Sequence, residues 1–97
     1  MAIARDLYVA VVEIQGHCPV YQRGDAFRIV AGYQLVSERP LCFHALQALN
    51  PYYVALSRGI APRELGLAGA DGAAYVQCLD PQRFTHGGTV VFRIVGE

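Results

Sequence analysis

The sequence lacks an excess of charge of either sign, and its charged residues are few. Eight basic residues balance eight acidic ones, so the formal net charge is zero, and charged residues make up only 16% of the chain. A protein with no basic or acidic excess has no electrostatic footprint for nucleic acid or for an anionic membrane surface. Neither nucleic acid nor a membrane is therefore expected as a partner.

The sequence also lacks a long, uninterrupted apolar run. The first apolar stretch, Leu7–Val12, is too short for an export signal and is followed by Glu13. The longest uncharged run, Pro40–Ser57, contains His44 and Asn50 and is typical of an amphipathic helix rather than a membrane span. We therefore expect a cytoplasmic protein.

Lysine is absent, and all eight basic residues are arginine. Together with the abundance of alanine, glycine and valine, this usage is typical of a GC-rich genome. It indicates a bacterial source and says nothing about chemistry.

Common cofactor motifs are missing as well. The sequence has no Walker loop, no dinucleotide fingerprint, no Gly-x-Ser-x-Gly elbow and no His-Glu-x-x-His helix, so no cofactor is expected. It contains three cysteines, an odd number in a chain with no visible export signal. This argues against a disulfide framework and for free thiols or thiolates.

Hydrophobic residues, in contrast, are abundant and make up 54% of the 97 residues. The length predicts one domain spanning residues 1–97, and a domain of this size buries a limited fraction of its surface. Some apolar surface is therefore expected to meet a partner. A symmetric homodimer is the commonest solution, and a pocket for a hydrophobic small molecule is the next.

The longest periodic stretch is Arg39–Gly59, where apolar residues recur at the three- and four-residue spacing of a helix with one buried stripe. Pro40 suits the first helical position, which predicts Arg39 as the cap residue. Asn50 and Pro51 repeat the start signal inside the stretch. They predict either a kink or two consecutive helices.

Four segments alternate or are rich in β-branched residues, and each predicts a strand. They are Leu7–Ile14, Ala26–Leu35, Ala73–Leu79 and Thr89–Val95. Strict alternation in the first strand places Ile14 on the face opposite Val11.

The element order predicts an α+β fold. Links of hairpin length lie on each side of the helical stretch, which favours a four-stranded antiparallel sheet (β-β-α-α-β-β) with the helices packed on one face. Between the helices and the third strand, Ile60–Gly72 is predicted to be a connecting loop with a turn at Pro62–Leu67.

The cysteines Cys18, Cys42 and Cys78 are predicted at element boundaries, namely after the first strand, in the first helical turn and at the end of the third strand. If these ends converge, the three sulfurs line one catalytic pocket, with His17 or His86 as a base. The helix dipole and free amides of a first turn lower the pKa of a thiol, which makes Cys42 the strongest candidate. Alternatively, cysteines serve as small apolar core residues. Their spacing matches no zinc pattern, so no metal is expected.

The predicted substrate-binding residues are His44, Tyr33, Tyr53 and Asp80. Residues two apart on a helix do not face each other, so His44 is poorly placed to act as the base for Cys42. Tyr33 and Tyr53 are candidates for the wall of an aromatic pocket, with core packing as the alternative. Asp80 precedes a proline, and its alternative role is turn formation.

Several short motifs occur in a particular order along nearly the whole chain. They are Gly16-His17-Cys18-Pro19, Gly24-Asp25, Pro40-Leu41-Cys42 followed by Ala45 and Pro51, Cys78-Leu79-Asp80-Pro81, and a closing Val-Val-Phe-Arg-Ile strand. In this set the chain resembles a family of small uncharacterised prokaryotic proteins of unknown function. The chain departs from the family at Leu79, where proline is common. The resemblance implies that all three cysteines belong to a shared pattern, and it implies no activity.

These observations favour a small enzyme or enzyme-like protein that acts on a hydrophobic small molecule in bacterial, including specialised, metabolism. The expected chemistry is a proton transfer or cyclisation at a cysteine-lined pocket, typical of a cofactor-independent cyclase, isomerase or lyase. One alternative is a non-catalytic dimeric ligand-binding or interaction module with structural cysteines. Another is a thiolate metal-binding protein.

Overall fold

The structure is a computed structural model that describes residues 4–97, and its framework is one five-stranded antiparallel sheet. In chain order the strands are β1 (Leu7–Gly16), β2 (Ala26–Val30), β3 (Gln34–Val36), β4 (Ala74–Gln77) and β5 (Gly88–Gly96). They lie in the order β3-β2-β1-β5-β4. The two longest strands, β1 and β5, therefore pair at the centre, from Leu7 opposite Gly96 to Gly16 opposite Gly88.

Two short helices, α1 (Phe43–Leu49) and α2 (Tyr53–Ser57), cover one face of the sheet. Their buried residues join a single hydrophobic core with the inward side chains of the strands. The helices contribute Ala45, Ala48, Leu49 and Leu56, and the strands contribute residues including Leu7, Val9, Phe27, Ile29, Val76, Val90, Phe92 and Ile94. The predicted α+β class is confirmed. Within residues 4–97, no helix is both long enough and apolar enough to cross a membrane.

The sheet has five strands, so the prediction of four was wrong, and the difference lies in Ala26–Leu35. This segment contains a hairpin, because Ala31 and Gly32 adopt positive φ angles of 58° and 89°. The Tyr33 N–H donates to the Val30 carbonyl at 3.1 Å, which closes a two-residue turn. Two consecutive left-handed residues match the twist of a tight hairpin. The apolar alternation continues through this turn, which is why the sequence of Ala26–Leu35 resembles that of one strand.

A β-bulge interrupts β1 and reverses part of its predicted pattern. The pairing with β5 shifts between Val11 and Glu13, so Val12 is an extra residue. The extra residue turns Ile14 toward the helices, where it packs against the core on the same side as Val11. The prediction that Ile14 and Val11 lie on opposite faces was therefore wrong.

The first helix begins later than predicted. Its cap is Cys42, which is extended (φ −85°, ψ 125°), and α1 starts at Phe43 rather than after Arg39. The Ser37 hydroxyl accepts from the Arg39 amide at 3.2 Å and donates to the Arg39 carbonyl at 2.7 Å, which closes a local turn ahead of the helix. The break at Asn50-Pro51 separates α1 from α2, so the prediction of two consecutive helices is confirmed.

The remaining helical segments are single turns. A 3-10 helix spans Pro62–Leu65, at the turn predicted there, and α3 (Gln82–Thr85) was not predicted. The Gln82 N–H donates to the Thr89 hydroxyl at 3.2 Å. Thr89 is paired with Gln15, one residue beyond the core-facing pair formed by Ile14, so it lies on the sheet face opposite α1 and α2. The prediction of helices on one face therefore holds for α1 and α2 but not for α3.

Candidate functional site

Tyr21 is the residue that links two of the three cysteines. Its backbone N–H donates to the Cys18 sulfur at 3.3 Å, and its hydroxyl accepts from the Cys42 N–H at 3.0 Å. The ring is 4% exposed and packs edge-to-face against Phe92, with ring centroids 5.5 Å apart. Cys18 and Cys42 are thus held at the two ends of one buried tyrosine.

The environment of Tyr21 favours its neutral form. Burial raises the pKa of the Tyr21 hydroxyl above its ordinary value of about 10, the hydrogen bond from the Cys42 amide opposes that shift, and nearby Cys42, Cys18 and Asp25 raise it further. At neutral pH the hydroxyl is therefore protonated and acts as an acceptor for the start of α1. The sequence alone did not identify this linking role of Tyr21.

Cys42 does not lie in the first helical turn, so that prediction was wrong. It is the N-cap of α1, its side chain makes no capping hydrogen bond, and α1 has only seven residues. Its backbone N–H is already used by Tyr21. The free backbone amides that were expected to stabilise a Cys42 thiolate therefore belong to the residues after Cys42, beginning with Phe43.

Cys78 is buried and takes part in the hydrogen bonding between β4 and β5. Its sulfur accepts from the Val90 N–H at 3.2 Å, and its thiol donates to the Gly88 carbonyl at 3.6 Å. Its backbone N–H also donates to the Val90 carbonyl at 2.8 Å. Cys78 therefore extends the pairing of β4 with β5 by one residue, and its sulfur is the acceptor for the buried Val90 N–H.

The three cysteines line no common cavity among five cavities that residues 4–97 form. Cys18 contributes to a cavity of about 540 Å³ together with His17, Arg23 and Arg39, whereas Cys42 and Cys78 line none of the five. In the same part of the chain, no group of three or more His, Cys, Asp and Glu side chains is arranged to hold a metal ion.

Asp80 organises the loop between β4 and β5. One carboxylate oxygen accepts from the Thr85 hydroxyl, and the other accepts from the Gly88 N–H at 3.2 Å. Its carbonyl accepts from the Thr89 hydroxyl at 2.6 Å. These contacts fix both ends of α3, and they are those of a turn-forming aspartate rather than of a residue aimed into a cavity.

Two of the predicted substrate-binding residues, Tyr33 and Tyr53, lie together, and His44 lies apart from them. The β2–β3 hairpin carries Tyr33, and α2 begins at Tyr53. Both line a cleft of about 350 Å³ between the hairpin and the two helices. His44 is exposed on α1 and does not line this cleft.

This opening, the apolar cleft, is defined by nine residues from β2, β3, α1, α2 and the links that follow them. They are Ile29, Tyr33, Leu35, Phe43, Leu46, Gln47, Leu49, Asn50 and Tyr53. Tyr33 and Phe43 are unusually exposed for aromatic residues, at 74% and 73%, and Leu35 is 48% exposed. Exposed large apolar side chains that border one cleft indicate a binding surface.

The apolar cleft also contains a few polar groups. The side-chain amides of Gln47 and Asn50 have no hydrogen-bond partner among residues 4–97, and both side chains are exposed. The hydroxyls of Tyr33 and Tyr53 are likewise without a partner among these residues. Mostly apolar walls with a small number of free polar groups are typical of a small-molecule site.

Sequence reasoning missed most of the cleft, although one signal was present. Phe43 interrupts the buried stripe of the helical stretch, since its neighbours Ala45 and Leu46 face inward while it is exposed. An aromatic residue off the buried face is a candidate contact residue. Leu35, in contrast, was assigned to a continuous strand, and only the turn at Ala31 and Gly32 places it beside Phe43.

Comparison with known proteins gives no match, either to a family model, to a curated protein or to a solved structure. The resemblance to the family with Cys-Pro, Gly-Asp, Leu-Cys and Cys-x-Asp-Pro motifs therefore stays a prediction.

Proposed function

We propose that this protein is a binding module for a hydrophobic small molecule and that the ligand occupies the apolar cleft. The observation that carries the proposal is the pairing of Tyr33 on the hairpin with Phe43 at the start of α1 across one opening. Both rings are largely exposed, at 74% and 73%. A ligand seated between them would remove their apolar surface from water, which is the main source of affinity for such a site.

The dimensions and chemistry of the cleft support a small molecule as the ligand. Its volume of about 350 Å³ lies at the lower end of the range for ligand pockets. The side chains of Gln47, Asn50 and Tyr53, which line the cleft, offer hydrogen-bond donors and acceptors. The cleft has no charged lining residue, so an uncharged ligand with one or two polar groups fits it best.

The placement of the cysteines favours binding over thiol catalysis at this cleft. None of the nine lining residues is a cysteine. The Cys78 sulfur is buried in the β4–β5 ladder, and the Cys18 sulfur accepts from the Tyr21 amide. These are the contacts of structural cysteines, the alternative that the sequence left open.

A dye titration tests the proposal. The fluorescence of N-phenyl-1-naphthylamine, an uncharged dye whose emission increases in apolar sites, is measured with the wild type and with Tyr33→Ala and Phe43→Ala. Each substitution removes one wall of the cleft and is expected to weaken binding by about tenfold, as the loss of one aromatic contact predicts.

Phe84→Ala is the matched control, because Phe84 is 78% exposed and lies outside the apolar cleft. It is expected to bind the dye as tightly as the wild type does. Two results would contradict the proposal. In one, the wild type shows no saturable binding of the dye; in the other, Phe84→Ala weakens binding as much as Phe43→Ala does.

A second candidate function is supported by Cys18, which lines the cavity of about 540 Å³ beside His17. Arg23 and Arg39 line the same cavity, so a thiolate there would have cationic neighbours. In this alternative the protein is a cofactor-independent enzyme that transfers a proton at Cys18. Alkylation by iodoacetamide at neutral pH distinguishes the two, since an activated Cys18 is modified much faster than glutathione and a structural Cys18 is not.

A further inference from the structure

The sheet face opposite α1 and α2 carries no helical layer over its centre. We call it the open face and define it by the strand residues that the register places on that side. They are Tyr8, Ala10 and Glu13 of β1, Ala26, Arg28 and Val30 of β2, Gln34 and Val36 of β3, Tyr75 and Gln77 of β4, and Val91, Arg93 and Val95 of β5. The alternate residues of β5 face the helices and are at most 4% exposed; they are Val90, Phe92 and Ile94.

The centre of the open face is apolar. Tyr8 lies opposite Val95, and Ala10 lies between Ala26 and Arg93 in the adjacent strands. Tyr8, Ala10 and Val95 are half-buried. Val91, one pair further along, is half-buried too. A two-layer fold that leaves the apolar centre of a sheet open to water has not buried all of the surface that its composition allows.

The arginines on the open face are paired within the chain, and Glu13, opposite Val91, is its one charged strand residue without a partner among residues 4–97. The Arg28 guanidinium donates to the Glu97 carboxylate at 2.8 Å and lies 5.0 Å from the centre of the Tyr8 ring. The Arg93 guanidinium donates to the Asp71 carboxylate at 2.9 Å. The pKa of Asp71 is lowered by that hydrogen bond, then by those from the Ala73 amide and the Tyr75 hydroxyl, so the pair is fully charged at neutral pH.

We infer that the open face is the interface of a homodimer, in which a second copy of this chain packs its own open face against the first. A surface whose arginines are already paired meets an identical surface without repulsion between arginines. A nucleic acid or an acidic peptide would instead require unpaired cationic groups. The high apolar content and zero net charge of the sequence favour the same occupant.

The size of the open face suits this partner. Five strands spaced about 4.8 Å apart, over a mean length of about six residues at about 3.3 Å each, give a flat footprint of roughly 490 Å². A standard interface buries about 800 Å² of accessible surface on each partner, and the relief of side chains makes accessible area larger than a flat footprint. The open face therefore approaches the size that a stable dimer needs.

The rim of the open face adds an apolar contact. The α3 turn is bonded to Thr89 on this side, and Phe84 borders a small cavity that Gln15 and Gln77 also line. Phe84 is 78% exposed, the highest value for a large hydrophobic residue in the described chain. In a two-fold dimer, Phe84 of each copy lies at the edge of the partner's open face and is removed from water there.

The test is the molar mass in solution, measured by size-exclusion chromatography with multi-angle light scattering. Wild-type protein is expected at twice the chain mass of 10.6 kDa. Val91→Arg places a long side chain, with which Glu13 opposite it can pair, at the centre of both copies. Its bulk holds the two faces apart, so the variant is expected to be a folded monomer, with folding checked by circular dichroism. Leu35→Arg is the matched control, since Leu35 lies in the apolar cleft on the other side of the sheet, and it is expected to remain dimeric.

Three outcomes overturn the inference. One is a wild-type mass of a single chain at about 100 µM, where a dimer of micromolar affinity is almost fully formed. The second is a Val91→Arg variant that remains dimeric. The third is dissociation of the Leu35→Arg variant but not of Val91→Arg, which would assign the interface to the edge of the sheet that β3 forms. If Val91→Arg does not fold, methyl NMR of the wild type replaces it. On dilution, the signals of Ala10 and Val91 are expected to shift while those of Leu35 and Val54 do not, and the reverse pattern refutes the inference.

Discussion

At the scale of single residues, the cysteines act through hydrogen bonds whose donors are backbone amides. Cys18 accepts from Tyr21, and Cys78 accepts from Val90. Their position at element ends was predictable because turn residues such as Gly16 and Pro81 mark those ends. The partner of Cys78 was not, since Val90 lies on a different strand, and Tyr21 lies only three residues from Cys18 but no sequence pattern marks that contact.

Cys78→Ala is expected to lower the free energy of unfolding by about 1–3 kcal/mol, because the buried Val90 N–H loses its acceptor. Urea denaturation measures the change. Cys78→Ser is the control, since a hydroxyl accepts from Val90 and donates to Gly88 in the same way, and it is expected to lose less. Equal losses in the two variants would show that the volume of the sulfur matters and its hydrogen bonds do not.

Tyr21→Phe removes the acceptor for the Cys42 amide at the start of α1, so the free energy of unfolding is expected to fall by about 1–2 kcal/mol at neutral pH. The pKa of Tyr21 is raised in the folded protein, chiefly by burial. Its stabilising contribution is therefore complete below the unfolded pKa of about 10 and is lost as the pH rises through the folded pKa. The difference between wild type and Tyr21→Phe should narrow above pH 10.

Urea denaturation from pH 7 to pH 11 measures that difference. Tyr33→Phe serves as the control, because its ring is 74% exposed and its hydroxyl has no partner among residues 4–97. It is expected to leave stability unchanged. A gap between wild type and Tyr21→Phe that stays constant through this range would refute the role assigned to Tyr21.

At the scale of elements, the β2–β3 hairpin is decisive because it forms one wall of the apolar cleft. Its turn places Ala31 at a φ angle of 58°, where a β-carbon is strained, and the Asp6 carboxylate accepts from the Ala31 N–H at 2.9 Å. Tyr33 follows the turn directly. Any change that relaxes or opens the turn therefore acts on the cleft.

Ala31→Gly is expected to raise the free energy of unfolding by about 0.5–1 kcal/mol, since glycine adopts positive φ without steric cost. Thermal and urea unfolding measure the change. Ala26→Gly in β2 is the matched control and is expected to destabilise by a similar amount, because glycine weakens a strand interior. If Ala31→Gly also proves destabilising, the strain assigned to Ala31 is absent.

The elements that were predicted well are those whose own residues determine them. Alternation identified four of the five strand regions, and Asn50-Pro51 identified the break between α1 and α2. The elements that were missed depend on one residue or on distant contacts. Ala31 has no sequence signature for a left-handed turn, Val12 none for a bulge, and α3 is a single turn that Asp80 and Thr89 hold in place.

At the scale of the whole molecule, the two proposed surfaces lie on opposite sides of the sheet. The apolar cleft involves the helix side, and the open face is the other side. The composition of the sequence predicted an excess of apolar surface. It did not predict how that surface is divided between the two faces of the sheet. The division follows from strand register, which alternation alone leaves undetermined wherever a bulge intervenes.

A homodimer makes thermal stability depend on concentration. The melting temperature of the wild type is expected to rise by about 3–4 °C for each tenfold increase in protein concentration, as mass action predicts for two chains of this length. Val91→Arg is expected to melt at one temperature throughout. Differential scanning fluorimetry over two decades of concentration measures both. A concentration-independent melting temperature for the wild type would contradict the dimer.

The pairing of β1 with β5 also bears on how the molecule folds. The other three strands and all of the helices lie between these central strands along the chain, so Leu7 must find Gly96 across the whole of the intervening fold. Closing so long a loop is entropically costly before any contact repays it, which favours slow folding for a domain of this size. During synthesis, β1 stays without its main partner until β5 has emerged, and through that interval the apolar side chains that β5 covers are exposed.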